Sequence, residues 1–141
     1  MNKNKYGLLI EELEKLSLYG ILVPSNDRFM GEYVPESEKR LEFITGFTGS
    51  NGFAIVTKNS SAFFTDGRYV LQARSEVNKD FEQYNLAEKP ISSWLVENCQ
   101  GLKIAYDPWL HTENFISKIE SEAKISLYSL QENPIDLLWQ D

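Results

Sequence analysis

EYVPESEKRLEFITGFTGSNGFAIVTKNSSAFFTDGRY, residues Glu32 to Tyr69, combines a glycine loop, two hydrophobic runs and an Asp-Gly-Arg-Tyr turn. The runs Gly52 to Thr57 (GFAIVT) and Ser61 to Thr65 (SAFFT) are rich in aromatic and β-branched residues. Lys58-Asn59-Ser60 separates them, and the pattern predicts a β-hairpin. Before the loop, residues 37 to 45 carry Leu41, Phe43 and Ile44 among charges and read as a helix stopped at Gly46. After the hairpin, Arg68 to Val77 follows an Asp-Gly turn with helix-compatible residues, and Asp66 is placed to cap that helix.

Outward from this stretch the periodicity alternates. Leu9, Leu13 and Leu16, with Leu8 beside them, recur at helical spacing against Glu11, Glu12, Glu14 and Lys15, predicting an amphipathic helix that ends near Gly20. Gly20 to Pro24 (GILVP) reads as a buried strand closed by proline. Toward the carboxyl end come an apolar-polar run at Phe81 to Leu86, a helix at Ile91 to Cys99 begun by Pro90, and a strand at Leu102 to Tyr106. A helix at Thr112 to Ala123, a strand at Ile125 to Leu130 and a last helix at Ile135 to Trp139 complete the series. Asn133, Pro134 and Asp136 supply the last helix with an N-cap, a first-turn proline and an acid near its positive end. Alternating helices and strands predict an α/β fold, a mixed sheet of about five or six strands flanked by helices.

Composition bounds the function. The 141 residues suit one domain with a sound core, and 42% hydrophobic with 25% charged residues is the balance of a globular chain. A formal charge of −7 repels phosphate backbones and anionic membranes, so neither nucleic acid nor a membrane is an expected partner. Cys99 is the only cysteine, which rules out an intrachain disulfide. The early run Leu8-Leu9-Ile10 is broken by Glu11 and Glu12, so it reads as neither signal peptide nor membrane span, and cytoplasmic residence is the expectation.

The loop Gly46-Phe47-Thr48-Gly49-Ser50-Asn51-Gly52 has the wrong order for phosphate. Nucleotide sites run strand, glycines, helix, whereas here a helix enters the loop and a strand leaves it. Three glycines instead suit a tight crossing between helix and strand. His111, the only histidine, lacks companions for a zinc site and reads as a surface or helix-entry residue. Asp107-Pro108 reads as a turn after the strand ending at Tyr106. Trp94, Trp109 and Trp139 read as core or interface anchors. Arg68 is distinctive because a strand-to-helix turn often faces a cleft, and its guanidinium can hold a carboxylate or peptide carbonyls; a purely structural role is the competing reading.

Taken in order, Ile21-Leu22-Val23-Pro24-Ser25, Gly31-Glu32-Tyr33-Val34-Pro35, Arg40-Leu41, Thr45-Gly46-Phe47-Thr48-Gly49-Ser50 with Gly52, Thr65-Asp66-Gly67-Arg68-Tyr69, Leu71-Gln72-Ala73, Tyr106-Asp107-Pro108-Trp109-Leu110 and Asn133-Pro134-Ile135-Asp136 before Trp139 form a recognisable series. It resembles the N-terminal domain of long, three-domain Xaa-Pro aminopeptidases (aminopeptidase P), of the creatinase/prolidase group. The resemblance implies that residues 1–141 are a single creatinase-type N-terminal domain, and that the catalytic "pita-bread" domain lies outside the chain. It also implies a parent metallopeptidase that removes the N-terminal residue preceding proline, with two divalent metal ions, manganese by family habit, held in the absent domain. The chain itself would then carry no catalytic or metal-binding residue. Arg68 is its expected substrate-binding residue, contacting peptide with proline at the second position. The chain's own C-terminal domains and a homodimer mate are the other implied partners. The competing class is a free-standing binding or interaction module that keeps the fold without enzymatic activity.

Overall fold

The computed structural model describes residues 5–25, 39–49 and 51–138. Gly31 to Pro35, Ser50 and Trp139, which carry parts of the resemblance, lie outside the described residues. Six helices and six strands are described: α1 Lys5–Lys15, β1 Gly20–Pro24, α2 Arg40–Thr45, β2 Gly52–Thr57, β3 Ser61–Thr65, α3 Val70–Glu76, β4 Phe81–Asn85, α4 Ile91–Asn98, β5 Ile104–Tyr106, α5 Glu113–Ala123, β6 Leu127–Ser129 and α6 Pro134–Leu138. A 3₁₀ turn, Gly67–Tyr69, leads into α3.

The strands form one sheet in the order β4-β3-β2-β1-β5-β6. β2 pairs antiparallel with both β1 and β3, while β1–β5, β3–β4 and β5–β6 are parallel pairs. β2 therefore runs against the other five strands, and the mixed sheet expected from the hairpin is present. Register follows side-chain alternation. Ile21 pairs with Val56 and Val23 with Ala54, and all four face one core, whereas Leu22 and its partner Ile55 face the other.

Because both sheet faces are apolar, each needs a helical cover. Leu9 and Leu13 of α1, Leu41 and Ile44 of α2, Ala73 of α3 and Ile135 of α6 pack on one face with Ile21, Val23, Ala54, Val56 and Phe63. Ile91, Trp94 and Leu95 of α4 and Ile116, Ile119 and Ala123 of α5 pack on the other with Leu22, Phe53, Ile55 and Phe64. The buried stripe of α1 is narrower than the leucine spacing suggests, since the helix ends at Lys15, Leu16 lies beyond it, and both Leu8 and Leu16 are exposed. Trp94 is a core anchor as expected, but Trp109 is 67% exposed and lies in neither core.

One long-range tie and one helix stop fix the first layer. Arg40, buried at the start of α2, donates from Nε and Nη2 to the carboxylate of Asp136 in α6, at 2.8 and 3.1 Å. Gly46 ends α2 at φ 88°, its N–H donating to the Glu42 carbonyl at 2.8 Å. A Cβ there would sit 2.7 Å from the Glu76 carbonyl oxygen, so conformation and space both demand glycine. Gly46→Ala is expected to destabilise the domain by about 2–4 kcal/mol, the sum of left-handed strain and a backbone clash, measured by denaturant unfolding.

His111 corrects an expectation. It does precede α5, whose N-cap Thr112 accepts from the Phe115 N–H at 3.1 Å, but it is buried rather than superficial. Its ring stacks on Phe115 with centroids 5.3 Å apart and lies 6.0 Å from Phe53 and 6.1 Å from Tyr106. The aromatic neighbours take the ring in but supply no acceptor for a charge, and burial pushes its pKa from 6.5 down to about 4, against a weaker upward pull from Asp107. The unfolded chain then binds the extra proton first as pH drops. Stability is expected to decline from about pH 6.5 to about 4 by a His111 component of about 3 kcal/mol, absent in His111→Phe, as read by urea unfolding across that range.

Candidate functional site

Because β2 alone is reversed, its first residues lie at the edge of the sheet where the five other strands end. That edge gathers Ser25 after β1, Asn51 before β2, Asp66 after β3, Leu86 after β4 and Asp107 after β5. Backbone bonds tie the exits together: Ser25 N–H donates to Gly52 O at 3.1 Å, and Leu86 N–H to Thr65 O at 2.9 Å. The crevice outside the carboxyl ends of strands is the usual ligand position in open α/β sheets.

Arg68 sits in this edge, on the turn after β3. Asp66 accepts the Arg68 backbone N–H at 2.9 Å, so it caps the 3₁₀ turn as its sequence position suggests. The same carboxylate accepts from Arg68 Nε at 3.3 Å and Nη2 at 3.1 Å, folding the guanidinium back over its own turn. Asn51 donates at 2.6 Å to Asp66 Oδ2, which also accepts from Arg68 Nη2, and thereby joins the glycine loop to the turn. The Arg68 hydrogen bond, with smaller help from the backbone and Asn51, lowers the Asp66 pKa, and the same pairing raises that of Arg68. Both groups are charged at neutral pH. The Arg68 side chain remains 77% exposed, with its guanidinium carbon 5.4 Å from the Tyr69 ring centroid.

The glycine loop acts as a brace. Phe47 is buried against Phe63, centroids 4.8 Å apart, and meets Tyr69 edge-on at 6.0 Å. A Cβ on Gly49 would fall 2.4 Å from the Phe47 ring, so the loop closes over that ring only with glycine. Thr48 then donates twice to Glu76 of α3, from N–H at 2.8 Å and from its hydroxyl at 2.9 Å, while Gln72 Nε2 donates to Thr48 Oγ1 at 3.1 Å. These bonds, led by the Thr48 N–H, lower the Glu76 pKa. The turn that presents Arg68 is thus pinned from the loop before it and the helix after it. Nothing in the sequence alone marks Thr48, Gln72 and Glu76 as partners, since the pairing spans 28 residues.

The other sequence candidates separate. Asp107 accepts the Trp109 N–H at 2.9 Å and the Asn133 amide at 3.0 Å, so it holds a turn and ties it to α6. Cys99 is buried, and desolvation pushes its thiol up to about 11, which makes it inert. Among the described residues no three of His, Cys, Asp and Glu converge as a metal ligand set. No helix among them is long and apolar enough to cross a membrane.

Comparison with known proteins agrees with this architecture. The Creatinase/Prolidase N-terminal domain family matches residues 7–136. Aminopeptidase P1 of Lotus japonicus is 33% identical over 129 residues, covering 88% of this chain and 20% of that protein. The chain therefore spans about a fifth of the length of the curated relatives it matches. The X-prolyl aminopeptidase of Caenorhabditis elegans, described as a cytosolic enzyme with a di-nuclear active site, superposes with a TM-score of 0.84 at 28% identity, over 96% of this chain and 25% of that one. The N-terminal domain of the cytoplasmic peptidase PepQ from Mycobacterium tuberculosis shares the fold, with a TM-score of 0.69 at 19% identity; the match covers 96% of this chain and 98% of that domain, solved by itself. Family match, relatives and fold coincide in one assignment: the chain belongs to the creatinase/prolidase N-terminal domain family.

Proposed function

We propose that this domain serves a metal-dependent Xaa-Pro aminopeptidase, a hydrolase that removes the residue preceding proline from the amino terminus of peptides. In that enzyme it supplies no catalytic group and forms one wall of the substrate cleft, with Arg68 as its peptide contact. The carrying observation is the presentation of Arg68. A cation held by Asp66, whose carboxylate Asn51 anchors in turn, lies at the carboxyl edge of the sheet, yet 77% exposed, and is oriented for an incoming acceptor. Its guanidinium would donate to a peptide carbonyl or carboxylate, while Asp66 keeps the arginine aligned.

Chemistry belongs to the enzyme's own C-terminal domains, which would hold two divalent ions, manganese by the family resemblance, as Lewis acids that activate water. The residues described here do not fit such a centre: His111 lies in an aromatic cradle, and Asp66 and Asp107 are committed to their turns. No reaction step is therefore assigned to them. Docking of the catalytic domain against the carboxyl edge would complete the cleft, and homodimer contacts and cytoplasmic residence fit the same reading. The di-nuclear, cytosolic description of the C. elegans relative supports it.

In the whole enzyme, Arg68→Ala is expected to lower kcat/KM for a proline-containing peptide by about tenfold or more, as for loss of a charge-assisted contact, with metal content by atomic absorption unchanged. Wild-type kinetics in that variant would remove the peptide-contact role. The 141-residue chain incubated with manganese and the same peptide is expected to release no amino acid by chromatography.

A further inference from the structure

Beside the Arg68 turn, the sheet edge opens into a cavity of about 350 Å³ lined by Phe53, Leu86, Ile91, His111 and Phe115, with Asn51 among the polar groups at its rim. Its walls come from the end of β1, the start of β2, the β4–α4 connection and the entry to α5, so four separate segments shape it. Three features mark it as more than a packing gap. Its volume is in the range of roughly 300–1,000 Å³ typical of small-ligand pockets. Its walls are mainly apolar and aromatic, with few polar groups, which is the composition such pockets show. And His111 Nε2 is buried with no hydrogen-bond partner, the sort of polar atom that folding leaves bare only at a cost.

Asn51 links this cavity to the proposed contact, because it lines the rim and also donates to the Asp66 carboxylate that holds Arg68. We infer that the cavity is a side-chain subsite for the same peptide, taking an apolar, preferably aromatic, residue whose adjacent amide hydrogen-bonds His111 Nε2. This rests on the reading of Arg68 as a peptide contact and extends it to a substrate class: peptides carrying an apolar residue within reach of the Arg68 turn. Phe53 and Phe115 both line the cavity, their ring centroids 5.8 Å apart, and give an entering ring aromatic neighbours. A neutral imidazole serves as either donor or acceptor, so it meets the N–H or the C=O of an amide without placing a charge in the pocket. A charged side chain would find no counter-ion among the apolar lining and would be rejected.

His111 is the chain's only histidine, so its ring protons are an unambiguous NMR reporter. N-acetyl-phenylalaninamide and N-acetylglycinamide are titrated into the 141-residue chain, a fold that stands alone in the M. tuberculosis relative. The expected result is a saturable His111 shift with the phenylalanine probe and none with the glycine probe. Phe115→Ala is expected to weaken the response by about fivefold or more, through loss of one aromatic wall. Should that variant fail to fold, Leu86→Trp, which fills the cavity from its rim, is expected to abolish the response. Absence of a His111 shift, equal shifts from both probes, or an undiminished response in a folded cavity variant overturns the subsite. Arg68→Ala is run in parallel: a retained shift there, beside normal turnover of the Arg68→Ala enzyme, removes the arginine contact while leaving the cavity standing. A lost phenylalanine response beside impaired turnover of that enzyme removes the cavity as an independent subsite.

Discussion

Everything at the carboxyl edge depends on the reversal of a single strand. In a wholly parallel sheet, each loop leaving a strand would face only other exits. With β2 inverted between β1 and β3, the loop entering it is delivered to that same edge, and Asn51 meets Asp66 across 15 residues of sequence. The hairpin pairing that inverts β2 is local and cheap to form, and its register is fixed by alternation into two cores. A slip by one residue would exchange Phe63 with Phe64 between the cores and would carry Asp66 to the opposite pleat. The geometry of the turn is therefore tied to the packing of both layers.

Much of this was legible in the sequence where the signal is periodic or chemical at short range. The strands at Gly20 to Pro24, Gly52 to Thr57 and Ser61 to Thr65 occur at the bounds that composition indicates. The caps Asp66 and Asn133 hold the N–H groups of Arg68 and Ile135, because N-capping requires only two or three residues of context. The strands expected at Leu102 to Tyr106 and Ile125 to Leu130 are shorter, Ile104–Tyr106 and Leu127–Ser129. They lie toward the β6 edge of the sheet, and β1 offers β5 pairing at only Gly20 and Ile21.

Long-range and environmental features were not legible. The pairing of Arg40 with Asp136 spans 96 residues, and Asp136 alone looks like an ordinary first-turn acid. Burial of His111 arises from rings contributed by β2, β5 and α5, which no local pattern connects. Trp109 shows the converse: its residue type suggests an anchor, but the Asp107 turn directs it outward. Of the candidate site, the position of Arg68 on a strand-to-helix turn was readable, whereas the brace of Thr48, Gln72 and Glu76 beneath it was not.

The Asp66–Arg68 pair has a further consequence, which is entropic. A long cationic side chain in water samples many rotamers, and binding normally freezes them at the moment of contact. Here the turn's own carboxylate has already narrowed that ensemble through two side-chain bonds, and a second neighbour, Asn51, holds the carboxylate. Part of the ordering of this side chain is thus done during folding. A lysine at the same place would carry equal charge without the planar fork that lets one edge be restrained while the rest of the group stays available.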